Sequence, residues 1–68
     1  MTTTAYNRTL AYDLESRCEW AEAAAAWQRA IDLYPSRHRR SALASADLAN
    51  LAARRDACID ATNEEDAA

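Results

Sequence analysis

The stretch Leu14-Glu15-Ser16-Arg17-Cys18-Glu19-Trp20-Ala21-Glu22-Ala23-Ala24-Ala25-Ala26-Trp27-Gln28-Arg29-Ala30 decides the fold. It reads as the elbow and second helix of a helical hairpin. Ser16 and Glu19 stand at the spacing of a capping box, in which a Ser at the N-cap and a Glu three residues later bond each other's backbone N–H groups. Trp20 and Trp27 share one helical face with Ala23, Ala30, Ile31 and Tyr34. The alanines on that face leave room for the indoles and let neighbouring helices approach closely.

Upstream, Tyr6, Leu10 and Leu14 recur every fourth residue, with Ala11 and Cys18 beside them. That is the apolar stripe of a first helix. Thr4 is the expected N-cap, and Asp13 and Arg17 are spaced to pair along the helix. At ~100° per residue, one straight helix would place the two stripes roughly 110° apart. A turn at residues 16–19 lets both face one core. No glycine occupies the elbow, so the alternative to a turn is one continuous helix.

Downstream, Pro35 ends the second helix by Tyr34, because proline disfavours α geometry in the residue before it. Arginines in a first turn oppose the helix macrodipole, so the third helix is expected to begin nearer Ser41 than Ser36. Its apolar residues Ala44, Leu48 and Leu51, followed by Arg55 and Cys58, make a narrow seam with near-heptad spacing. The fold class is all-α: a three-helix domain made of an antiparallel hairpin and a third helix. The expected organisation is a flexible 1–4, a helical domain at 5–60 and a disordered acidic tail at 61–68. The expected core is Leu10, Leu14, Trp20, Ala23, Trp27, Ala30, Ile31 and Tyr34.

Composition supports this class. The 68 residues include no Gly, Val or Phe, and alanine and arginine favour helix. Half of the residues are hydrophobic, but most of those are alanine. A chain this short buries only about 60% of its unfolded surface, so a homodimer or another partner is expected to supply further burial. Two cysteines provide at most one disulfide, which points to reduced thiols in a cytoplasm. The N-terminal Met1-Thr2-Thr3-Thr4 lacks the apolar segment of a secretory signal. No apolar run is long enough to span a bilayer.

Charge is unevenly distributed. Residues 1–55 carry eight arginines against six acids, a net of +2, while residues 56–68 carry five acids and no base, a net of −5. Arg37, Arg39 and Arg40 surround His38 and form the candidate contact for an anionic partner. DNA is the less favoured occupant, because a DNA-binding domain usually shows a strong basic excess and no short turn here precedes a polar reading helix. Cys18, His38 and Cys58 are too scattered for a metal site. The single histidine has no nucleophile or acid pair beside it. Neither catalysis, a cofactor, a metal, a membrane nor a small-molecule ligand is expected. The expected partner or dimer interface is the third-helix seam: Leu43, Leu48, Leu51, Arg55 and Ile59.

Leu10, Ala11, Leu14, Ala23, Trp27, Ala30 and Pro35 also fall at the spacing of one tetratricopeptide unit, with Cys18 where that repeat prefers glycine. No second copy follows, and an array needs about three or more repeats. The geometry it implies is a helix pair with a third helix packed on it.

On Tyr6, Ala11, Leu14-Glu15, Trp20, Ala23-Ala24, Trp27, Ala30, Arg55 and Cys58, the chain resembles the ANR family over about residues 6–58. These are small bacterial and phage-borne negative regulators of AraC-type activators. It is also similar to the PerC-like regulators, through Leu14-Glu15, Trp20, Ala23-Ala24, Trp27, Arg54-Arg55 and Cys58. Many relatives have glycine at the elbow, where this chain has Cys18. Many also have an Asn and a Trp leading into the third helix, where it has Ser36–Ser41 and Ala42. The ANR resemblance implies a transcriptional regulator that binds and inhibits an AraC/XylS-type activator by protein contact and self-associates through its helices. The PerC-like resemblance implies a DNA-binding regulator instead. A non-catalytic interaction module of tetratricopeptide type is the third expectation.

Overall fold

A computed structural model describes residues 3–35 and 41–67, with side chains described through residue 65. Its elements are α1 (Thr4–Ser16), α2 (Trp20–Asp32) and α3 (Ala42–Ala67), and the described residues contain no strand. The all-α, three-helix architecture read from the sequence is what the chain adopts.

α1 is capped by Thr3, one residue before the expected cap. The Thr3 backbone is extended (φ −130°, ψ 169°), and its hydroxyl oxygen accepts from the Tyr6 N–H at 3.1 Å. Thr4 is the first helical residue, and its hydroxyl donates to the Ala30 carbonyl at 3.0 Å. The start of α1 is thereby tied to the end of α2, so the two helices run antiparallel.

The elbow exists, but a different device makes it. Ser16 is the last residue of α1, and its hydroxyl donates to the Asp13 carbonyl at 2.6 Å. The Glu19 N–H donates to the Leu14 carbonyl and the Cys18 N–H to the Glu15 carbonyl, both at 2.9 Å. Cys18 sits at φ 59°. This pair of bonds around a left-handed residue is a Schellman motif, a helix C-terminal signal rather than an N-terminal one. The expected capping box therefore does not form. Glu19 is the N-cap of α2 and makes no side-chain capping bond. The motif usually takes glycine at its left-handed position, because a Cβ there meets the following carbonyl.

α2 is the central helix and packs against both α1 and α3. Its apolar band is too wide for α1 alone to cover. α1 packs Ala11 and Leu14 into a core that contains Ala23, Ala26, Trp27 and Ala30. α3 closes that core with Leu51 and Cys58. Leu10, Trp20, Ala24, Ile31, Tyr34 and Leu48 pack around it, half-buried. Alanine at the contact positions brings the helix axes close enough for one buried indole to fill the centre.

α3 begins where Ser41 can cap it: the Ser41 hydroxyl oxygen accepts from the Ala44 N–H at 3.0 Å. Buried Ala44, Leu51 and Cys58 recur every seven residues, and half-buried Leu48, Arg55 and Thr62 interleave with them. This is the heptad seam, and its partner is α2 of the same chain. The helix extends to Ala67. Ala61 and Thr62 are half-buried, and the Thr62 hydroxyl donates to the Cys58 carbonyl at 3.0 Å. Alanine and glutamate are good helix formers even without large apolar neighbours. Among the described residues, no helix is long and apolar enough to cross a membrane.

Candidate interaction surfaces

The most highly connected polar cluster joins all three helices at Glu15. The Trp27 indole N–H donates to Glu15 Oε2 at 2.8 Å. Arg54 Nη2 donates to Glu15 Oε1 at 3.2 Å and Oε2 at 3.3 Å. The Arg54 guanidinium also lies 5.0 Å from the Tyr12 ring centroid and 5.6 Å from that of Trp27. The two rings meet edge to face, 5.0 Å apart at 88°. The Glu15 side chain is 20% exposed, which reduces solvent screening of its pair with Arg54. Such a network fixes geometry by satisfying every polar atom that it buries.

A second polar contact ties α1 to α2. Asn7 is buried to 1% exposure. Its Nδ2 donates to the Thr3 carbonyl at 2.9 Å, and its Oδ1 accepts from Arg29 Nε at 3.1 Å. A buried amide is tolerated because both ends are satisfied.

Between α1 and α3 runs a groove of about 320 Å³, lined by Arg8, Tyr12, Trp27, Asn50, Leu51, Ala53 and Arg54. Its wall is aromatic and its rim carries guanidinium and amide groups. Near it, the Tyr34 hydroxyl donates to Asp47 Oδ2 at 3.1 Å. Burial raises the pKa of that phenol above its ordinary value, helped by the Asp47 hydrogen bond and charge and opposed by Arg8. A smaller cleft of about 240 Å³ lies by the elbow, among Cys18, Glu19, Trp20, Ala21, Glu22, Thr62 and Glu65.

The expected third-helix interface divides. Leu51 is 2% exposed and belongs to the core, and Leu48 packs against that core. Both are engaged with α2, which corrects their assignment to a partner surface. Arg55 is half-buried at the edge of the seam, where it donates to Gln28 Oε1 at 2.7 Å and pairs with Asp56 at 3.0 Å. Leu43, at 84% exposure, and Ile59, at 43%, remain on the surface. Arg37, His38, Arg39 and Arg40 lie outside the described residues. Cys18 is exposed and Cys58 buried, both as free thiols. Burial pushes the Cys58 thiol pKa up, and the Glu15 charge adds to this, while Arg54 and the Trp27 contact oppose it. Among the described residues, no group of three or more His, Cys, Asp or Glu side chains is arranged to hold a metal ion.

Sequence reasoning did not single out Arg8, Tyr12 or Asn7, and it quoted Glu15 only within the elbow stretch and the resemblance motif. The spacing of Arg8, Tyr12 and Glu15 does place them on one face of α1. Nothing in α1 alone says that this face meets α3. Comparison with family models, with curated proteins and with solved structures gives no match.

Proposed function

We propose that this chain is a small, non-catalytic transcriptional regulator of the bacterial cytoplasm. It acts by protein contact, binding and inhibiting an AraC/XylS-type activator, and self-associates to bury further surface. The family resemblance over residues 6–58 supports the class of partner. The structural observation that carries the protein-contact reading is the apolar end of the helical unit.

Thr4 bonds Ala30 and Tyr34 bonds Asp47, so the start of α1, the end of α2 and the start of α3 lie at one end. Three large apolar side chains are exposed there: Tyr6 at 55%, Leu33 at 43% and Leu43 at 84%. Single exposed apolar residues are ordinary, but several gathered at one end of a small domain fit a protein contact.

The test is a pull-down of the purified chain with an AraC-type activator from the same host, with and without promoter DNA. The reading predicts capture without DNA. It also predicts loss of capture in Leu43→Asp with the helical circular dichroism unchanged, because that side chain contributes little to the core. Absence of capture, together with a salt-sensitive DNA shift that disappears when Arg37, Arg39 and Arg40 become Ala, would replace it with the PerC-like DNA-binding reading.

A further inference from the structure

The groove between α1 and α3 has a wall that the fold uses and a rim that it does not. Trp27 and Leu51 form its floor and belong to the core. On the rim, Arg54 is committed to Glu15 and to the Tyr12 ring. Arg8 is half-buried in the same groove and makes no ion pair or side-chain hydrogen bond among the described residues. The Asn50 amide likewise makes no side-chain hydrogen bond among them. A guanidinium, an amide and the Tyr12 ring thus surround a cleft of about 320 Å³ with donors to spare.

We infer that this groove docks a single carboxylate side chain of a protein partner. A guanidinium presents paired N–H donors that match the two oxygens of a carboxylate, and partial burial strengthens the charge-assisted bond. The Asn50 amide supplies a further donor, and Ala53 leaves space above the floor. Arg54, anchored by Glu15, adds positive potential at the far side. The chemistry favours a carboxylate over a nucleic-acid backbone. A phosphodiester chain is held by several cations in a row. Here one guanidinium is uncommitted, while Glu15 beside Arg54, and Asp47 one turn before Asn50, would repel a polyanion. The inference rests on the protein-contact reading and names the chemistry that the partner brings to this surface.

The test is a nuclear magnetic resonance titration of the full ¹⁵N-labelled chain with a short peptide that carries one glutamate among neutral residues. The expected shifts gather at the amides of Arg8, Tyr12, Asn50 and Arg54 and at the Trp27 indole N–H. Arg8→Ala should weaken binding about tenfold or more with the rest of the spectrum retained, and Arg8→Lys should recover part of the loss. No shifts at millimolar peptide would overturn the inference, as would shifts confined to residues 36–40. So would an oligothymidylate that moves the groove signals further than the peptide at equal salt. A parallel activator pull-down separates the two readings. Equal capture by the wild type and Arg8→Ala removes the groove and leaves the regulator. Peptide binding by a chain that captures no activator removes that partner and leaves the groove.

Discussion

Glu15 and Arg54 are 39 positions apart in the chain and 3.2 Å apart in space. They connect α1 to α3 across the buried Trp27, whose indole N–H bonds the same carboxylate. α1 and α3 otherwise communicate mainly through α2, so this carboxylate helps to set the angle between hairpin and third helix.

Removing Glu15 should therefore cost more than removing Arg54. Glu15→Ala deprives the Trp27 N–H of its acceptor, at about 1–3 kcal/mol. Arg54→Ala loses a partly exposed pair and its ring contacts, at about 1 kcal/mol. Urea unfolding of the two single variants and the double variant should give a coupling that shrinks in high salt. Additive losses at low salt would show that the pair contributes nothing of its own.

Cys18→Gly should stabilise the fold by about 0.5–1 kcal/mol, because the left-handed elbow at φ 59° then carries no Cβ. Ser16→Ala should be close to neutral, since no capping box depends on its hydroxyl. A thermal melt of each variant checks both statements. Destabilisation of more than about 1 kcal/mol by Ser16→Ala would restore the N-cap role that the Schellman geometry denies it.

Asn7 should be among the most sensitive polar positions. Asn7→Leu leaves the Thr3 carbonyl with only the residue 7 backbone N–H and removes the acceptor of Arg29 Nε, which predicts a loss of about 1 kcal/mol. A hydrophobic substitution that left the denaturation midpoint unchanged would mean that the buried amide does nothing for stability.

Alkaline conditions should loosen the chain. The Cys58 thiol is raised from its ordinary 9.0 by burial, and the Tyr34 phenol from its ordinary 10.0, also chiefly by burial. A raised folded-state pKa means that the unfolded chain releases the proton first. The associated stability is complete below the unfolded pKa and is lost as pH climbs through the folded one. The denaturation midpoint should therefore hold steady at neutral pH and fall above about pH 9. Cys58→Ala should flatten the thiol's part of that decline. Thiol-reactive probes should modify Cys18 rapidly and Cys58 only on unfolding.

Most of the local rules were legible in the sequence. Periodicity marked three helices, Pro35 marked the end of the second, Ser41 marked the start of the third, and the heptad seam on α3 was visible as a seam. These signals act within a few residues, so a linear reading contains them. The elbow was located for the wrong reason, because Ser16 and Glu19 satisfy a capping pattern while the chain uses the backbone bonds of Cys18 and Glu19 instead. What covers each seam was settled only in three dimensions. Leu48 and Leu51 looked available to a partner until α2 occupied them, and Leu43 was left outside. Arg8, Tyr12, Glu15 and Arg54 form a groove and a tie only because α2 brings α1 and α3 side by side. Secondary structure follows from the order of residues along one helix. The choice of which face meets which depends on burying one tryptophan among many alanines, and that is a property of the whole chain.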